Sequence, residues 1–75
     1  MLLCNMPLKE IKPSITIVRN CKNDCIGIIS SIKKNSSSNI DAAIRIIWCD
    51  IDGRALEISA PHLTLNDVEV LHILS

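Results

Sequence analysis

The sequence has few of the residues that usually mark a binding or catalytic site. Its 75 residues include one tryptophan, no phenylalanine, no tyrosine and two glycines. Two glycines cannot build a glycine-rich phosphate loop. Methylated lysine or arginine is bound by several aromatic rings around one cation, so a single ring excludes such a cage in a monomer.

The chain also lacks an excess of positive or negative charge, and it lacks long apolar runs. Eight basic and eight acidic residues give a net charge of zero, whereas dedicated nucleic-acid-binding proteins usually carry a basic excess. No segment approaches the roughly 20 apolar residues that span a bilayer, and residues 1–14 lack the basic region of a signal peptide. We therefore expect a soluble cytoplasmic protein whose four cysteines stay reduced.

Aliphatic residues dominate the composition of the chain. Hydrophobic residues make up 48% of the chain, and fourteen residues are isoleucine, whose branched side chain favours strands. The sequence predicts an irregular arm over 1–13 and a single small domain over 14–75. Strands are predicted at 14–19, 25–33, 40–50 and 54–60, with a loop at 34–39. The second strand is expected to carry Ile26, Ile28 and Ile32 on one face, with a bulge or bend at Gly27.

The segment 66–74 fits two structures. Asn66 followed by Glu69 could form a capping box at the start of a helix. Alternation of Val68, Val70 and His72 instead predicts a strand, and the strand is favoured because the rest of the chain is β-rich. The predicted fold class is all-β: a small five-stranded antiparallel barrel, or a strongly bent sheet, whose C-terminal segment is alternatively a short helix.

Residues 14–72 resemble the SH3-like small barrels of the Tudor and KOW type. The resemblance is carried by Gly27 early in the second strand and by the stretch IRIIWCDIDGRALEI, in which Trp48, Asp50 and Gly53 mark a hairpin. Similarity to Tudor domains implies recognition of methylated residues, which the single aromatic ring rules out. Similarity to KOW or Sm-like barrels implies RNA binding, which uses stacking on aromatic rings and a positive groove.

The turn Asp50-Ile51-Asp52-Gly53 predicts the register of this hairpin. A type I turn followed by Gly53 in the left-handed region gives a three-residue loop with a glycine bulge. The resulting pairs are Asp50–Arg54, Trp48–Leu56, Ile46–Ile58 and Ile44–Ala60. A two-residue Asp52-Gly53 turn would instead pair Trp48 with Glu57 and would mix polar and apolar residues on both faces. In the favoured register one face is apolar, and Trp48 belongs to the core or its rim.

The opposite face of the hairpin holds the candidate interface residues. Ile47 and Cys49 are apolar residues that point away from the predicted core, which indicates a covering element or a partner. Arg45 and Glu57 lie diagonally across from each other on that face and can form a surface ion pair. Either the N-terminal arm or another subunit is expected to cover Ile47 and Cys49.

Metal and catalytic sites have little support in the sequence. Cys21 and Cys25 are one close pair without a second, so we predict no metal site and no cofactor. Asp50 and Asp52 are explained by the turn, and no cysteine has a base nearby in sequence that would activate it. The residues that could in principle supply zinc ligands are Cys4, Cys21, Cys25, Cys49, His62 and His72.

We expect a non-enzymatic protein-interaction or assembly module that associates with itself as a homo-oligomer. The alternative is an accessory nucleic-acid-binding domain that uses cations around the 20–24 turn and the 33–39 loop. Its candidate residues are Arg19, Lys22, Lys33 and Lys34.

Overall fold

The computed structural model describes residues 1–35, 38–50 and 52–74. Residues 36 and 37 of the predicted loop, Ile51 of the predicted turn and Ser75 lie outside the described residues. In the described part of the chain no helix has the length and apolar character needed to cross a membrane.

Five antiparallel strands form a single sheet, which confirms the predicted all-β class. The sheet order is β4-β3-β2-β1-β5, so the last strand returns to pair with the first. The C-terminal segment is a strand rather than a helix, because β1 offers it an edge on which Val18 pairs with Val70. The strands are β1 Thr16–Asn20, β2 Ile26–Asn35, β3 Ser38–Cys49, β4 Ala55–Pro61 and β5 Val68–Ile73.

The sheet is open, so of the two predicted forms, a barrel and a strongly bent sheet, the closed barrel is not formed. Among the described residues β4 pairs only with β3, and β5 pairs with β1 and, at one bridge, with Leu2. Three short 3-10 turns, Leu3–Asn5, Leu8–Glu10 and His62–Thr64, accompany the sheet. The first and the third contact each other, the third also contacts β3, and the first contacts β5. The first and third turns therefore pack against strands at both sides of the sheet.

The hydrophobic core lies on one face of the sheet, which we call the inner face. Alternate residues of the two strands, among them Val18 of β1 and Ile44 and Ile46 of β3, are buried in it, as the alternation of a strand requires. The N-terminal arm contributes buried side chains to the same core, although its sequence contains two prolines and forms only 3-10 turns. The core consists of Leu3, Met6, Ile11, Val18, Ile29, Ile44, Ile46, Leu65 and Val68.

The β3–β4 hairpin has the predicted register, with Trp48 opposite Leu56 and Ile46 opposite Ile58. Gly53 has φ +77°, and its N–H donates to the carbonyl of Asp50 at 2.9 Å, as a type I turn with a glycine bulge requires. Trp48 is half-buried and packs against the core, which confirms its place at the rim. The predicted apolar face is only partly covered, because Leu56 and Ile58 are 58% and 47% exposed.

A bulge in β2 changes which isoleucines face the core. Ile29 pairs with Ile46 and Ser31 pairs with Arg45, so Ser30 is the extra residue. An extra residue reverses the alternation, and Ile32 therefore packs on the core. The expectation that Ile26, Ile28 and Ile32 share a face was wrong. The bulge also lies at Ser30 rather than at Gly27.

Candidate functional site

A row of three isoleucines crosses the outer face of the sheet, opposite the core. Ile17 of β1 pairs with Ile28 of β2, and Ile28 pairs with Ile47 of β3. Residues that face each other on neighbouring strands have their Cβ atoms about 4.5–5.5 Å apart. All three side chains are half-buried. The predicted interface residue Ile47 thus belongs to a continuous aliphatic surface on three strands.

This row forms part of a shallow groove of about 360 Å³, which we call the outer groove. Ile26 and Cys49, both exposed, continue its apolar surface toward the β3–β4 turn. Among the described residues that line it, none carries a side chain with a full charge at neutral pH. The lining residues are Ile17, Ile26, Gly27, Ile28, Ile47, Trp48, Cys49, Gly53 and Ala55.

The N-terminal arm does not cover the outer groove. Leu3, Met6 and Ile11 of the arm are buried in the core on the inner face, so the expected cover of Ile47 and Cys49 by the arm is not formed. The arm lies on the inner face, where its three apolar side chains join the core. Within the described residues the outer groove remains open to solvent.

Polar residues lie beside the apolar row on the same face. Arg45 Nε lies 3.3 Å from Glu57 Oε1, which confirms the predicted diagonal pair. Ser30 Oγ lies 3.3 Å from the same carboxylate oxygen and donates to the carbonyl of Arg45 at 3.2 Å. The ion pair is exposed, and pairs of this kind contribute about 0–1 kcal/mol. Its structural effect is to hold Glu57 in place next to Ile47, its cross-strand neighbour.

Sequence reasoning missed Ser30 as a member of this polar border. Ser30 follows Ile28 by two residues and shares its outer face, and its hydroxyl reaches the Arg45 carbonyl and the Glu57 carboxylate. The bulge reverses the alternation after Ser30, so Ile32 turns to the inner face. A local sequence signal for this bulge is weak, since it depends on pairing between β2 and β3. The two serines at 30 and 31 were the only hint, because they interrupt the aliphatic run of the strand.

The four candidate nucleic-acid contacts do not form one cluster. Arg19 and Lys22 lie at the β1–β2 turn, whereas Lys33 and Lys34 lie near the other end of β2, about 20 Å away at the rise of a strand. A single binding surface made by all four cations would require the two loops to meet at one end of the sheet. Because consecutive hairpin turns of a meander lie at opposite ends of their shared strand, they cannot meet here.

The two cations at the β1–β2 turn are already paired with carboxylates. Arg19 contacts Asp24, and its Nη2 lies 2.8 Å from Glu69 Oε2. Hydrogen bonds to Glu69 and then to Asp24 raise the pKa of Arg19 above its usual value. Lys22 Nζ lies 3.2 Å from Asp67. This end of the sheet therefore presents neutralised rather than free positive charge.

The cysteines and histidines are dispersed over the molecule. Cys21 and Cys25 are not joined in a disulfide, and all four thiols are free. His62 is buried, and its Nε2 lies 3.0 Å from the carbonyl oxygen of Leu3. A carbonyl only accepts, so Nε2 carries a proton and the ring serves as a structural link. Across the described ranges no three His, Cys, Asp or Glu side chains are grouped as metal ligands would be.

Comparisons with other proteins add no assignment to this geometry. No family model, no curated protein and no solved structure matches the chain.

Proposed function

We propose that this chain is a non-enzymatic assembly module that contacts a second copy of itself through the outer groove. The observation that carries the proposal is the uncovered row of Ile17, Ile28 and Ile47. Contiguous exposed apolar surface bordered by polar residues is typical of protein interfaces. Arg45 and Glu57 supply such a border next to the row.

The lining of the outer groove supports the non-enzymatic part of the proposal. It contains a single thiol, Cys49, and no imidazole or carboxylate among the described residues. Nucleophilic catalysis by a thiol needs an adjacent base or another feature that lowers its pKa. An aliphatic surface instead gains free energy by leaving water, at roughly 25 cal/mol per Å² of apolar area.

The SH3-like assignment and the cytoplasmic location belong to the same proposal. Gly27 in β2 and the Trp48–Gly53 hairpin, which carried the resemblance, lie in neighbouring strands of one five-stranded sheet. Four thiols that are not joined in disulfides suit a reducing compartment.

Ile47→Asp is expected to lower the mass of the assembly in solution. The wild-type chain should elute with a mass of at least twice 8.3 kDa at tens of micromolar, as measured by light scattering after size exclusion. A carboxylate at the β3 end of the apolar row would have to be desolvated in the contact, so the contact through the outer groove should be lost. Circular dichroism checks that the variant keeps its strands.

Leu63→Asp is the matched control, since Leu63 is 57% exposed and does not line the outer groove. It should leave the mass unchanged. Ile26→Asp is a second test at a more exposed position of the groove and should act like Ile47→Asp. A wild-type monomer would refute self-association. An oligomer that withstands both groove substitutions would refute the outer groove as its site.

For the nucleic-acid-binding alternative, the remaining candidate surface among the described residues is the exposed pair Lys33 and Lys34. Binding of a labelled single-stranded RNA at two salt concentrations separates it from the leading proposal, because phosphate contacts weaken as salt rises. Salt-sensitive binding that disappears in a Lys33→Glu/Lys34→Glu chain would favour the alternative.

A further inference from the structure

The free edge of β4 differs from that of β5. On β5, Val70 donates its N–H to the carbonyl of Met1 at 2.9 Å, and Glu69 forms a bridge with Leu2. The N-terminal arm therefore occupies part of the β5 edge. β4 spans seven residues and, among the described residues, pairs on one side only. A bare edge of this length is a template for another strand.

The hairpin geometry shows which backbone groups of β4 point outward. Asp50 N–H donates to the carbonyl of Arg54 at 2.9 Å, so this pair is hydrogen-bonded. Bonded and non-bonded pairs alternate along an antiparallel ladder. Leu56, Ile58 and Ala60 therefore bond to β3. The outward groups belong to Ala55, Glu57, Ser59 and Pro61, and Pro61 has no N–H to donate.

Apolar side chains accompany this edge on the inner face. Leu56 and Ile58 are 58% and 47% exposed. Both line a depression of about 260 Å³ that also includes Trp48. The core face of the sheet thus continues to its β4 edge without cover.

We propose that β4 pairs antiparallel with β4 of a second copy, about a two-fold axis at Ile58. The inference rests on the proposed function in taking the partner to be a second copy, and it names a contact separate from the outer groove. In this register Ile58 faces Ile58 of the second copy, and Leu56 faces its Ala60. Glu57 faces its Ser59, and these two residues exchange backbone hydrogen bonds.

Charge and proline position select this register over its neighbours. An axis at Glu57 would place two carboxylates directly opposite each other, which is destabilising. An axis at Ser59 would place Glu57 opposite Pro61, which lacks the donor that the outward position requires. The Ile58 axis uses Pro61 only as an acceptor, opposite the N–H of Ala55. It also keeps apolar residues opposite apolar residues on the inner face.

The resulting dimer joins two five-stranded sheets edge to edge. Its outer grooves lie on one face of the joined sheet and stay open. The edge contact and the outer-groove contact can therefore be removed one at a time.

A charge exchange at Ile58 tests the edge contact. Ile58→Lys and Ile58→Glu each place like charges opposite each other across the axis. The mass of each variant alone, measured by light scattering, should fall to half of the wild-type mass or less. An equal mixture of the two should recover the wild-type mass, because lysine then faces glutamate. Leu71→Lys, at a β5 leucine that is 45% exposed, is the matched control and should keep the wild-type mass.

Ser59→Pro is a second test that introduces no charge. It removes an outward N–H and leaves the bonds between β4 and β3, so it should also lower the mass. Unchanged mass in the Ile58 variants, or a mixture that fails to recover the mass, would overturn the edge contact. Loss of association with Ile47→Asp but not with the edge variants would overturn this inference and keep the proposed function. The reverse pattern would overturn the outer groove and keep the edge. A monomeric wild type would overturn both.

Discussion

Leu3→Ala should lower the free energy of unfolding by about 2–5 kcal/mol. Leu3 is 0% exposed and belongs to the core, although it lies in an arm without regular strand or α-helix. Truncation removes apolar burial and leaves a cavity between the arm and the sheet. Small domains are stable by only about 5–15 kcal/mol, so one substitution in the arm would remove much of the margin. Denaturant unfolding followed by the fluorescence of Trp48 measures the change.

Leu63→Ala is the matched control for this prediction. Leu63 is 57% exposed, and exposed substitutions of this kind usually change stability by no more than about 0.5 kcal/mol. The Leu3 carbonyl still accepts the hydrogen bond from His62 Nε2 in Leu3→Ala, so the comparison isolates the leucine side chain. Equal unfolding midpoints for the two variants would show that the arm does not pack on the inner face.

Gly27→Ala should cost about 1–3 kcal/mol and should change the emission of Trp48. A Cβ at position 27 would lie 2.7 Å from Trp48 Cε3 and 2.9 Å from Ile46 Cγ2. It would also lie 3.0 Å from the carbonyl oxygen of Ile47, which is backbone and cannot rotate away. The glycine thus provides the space in which the indole lies against β2. Denaturant unfolding and the emission maximum give the two measurements.

Gly53→Ala is the control for Gly27→Ala, because it introduces backbone strain without steric crowding. Gly53 has φ +77°, and among the described residues other than its two chain neighbours no atom lies within 4 Å of the position that an added Cβ would take. Alanine at position 53 should lower the free energy of unfolding only by the strain of the left-handed conformation, about 1–2 kcal/mol. The Trp48 emission should stay unchanged. If Gly27→Ala also leaves the emission unchanged, the close approach of the indole to β2 is wrong.

Local sequence signals predicted the strands and one register. Branched residues predicted the β-strands, and the D-x-D-G turn fixed the pairing of β3 with β4, since turn type and register are linked. Alternation and the β-rich remainder of the chain favoured a strand for 66–74, and the pairing of residues 68–73 with β1 confirms that choice. These features depend on residues close in sequence.

Two features of the fold could not be predicted because they depend on contacts between residues far apart in the sequence. The bulge at Ser30 arises between β2 and β3 and reverses the face of Ile32. The side of the sheet that receives the arm depends on Leu3, Met6 and Ile11 meeting a core that forms far along the chain. No short-range pattern encodes either choice.

The candidate site was predicted in part for the same reason. Ile47, Cys49 and the Arg45–Glu57 pair follow from the hairpin register and lie together on the outer face. Ile17 and Ile28 extend this surface, but their place beside Ile47 could not be predicted without knowing the order of the strands in the sheet. The four candidate cations looked close only because the sequence did not show at which end of β2 each turn lies.

The link between Leu3 and His62 has a consequence for biosynthesis. The two residues are 59 positions apart, and chains grow at roughly 5–20 residues per second, so His62 is made roughly 3–12 s after Leu3. During that interval the arm has no completed core to receive it. Leu3 and Met6 then lack Leu65 and Val68, with which they share the core, so the arm, although synthesised before the strands, completes its packing only after β5 has been made.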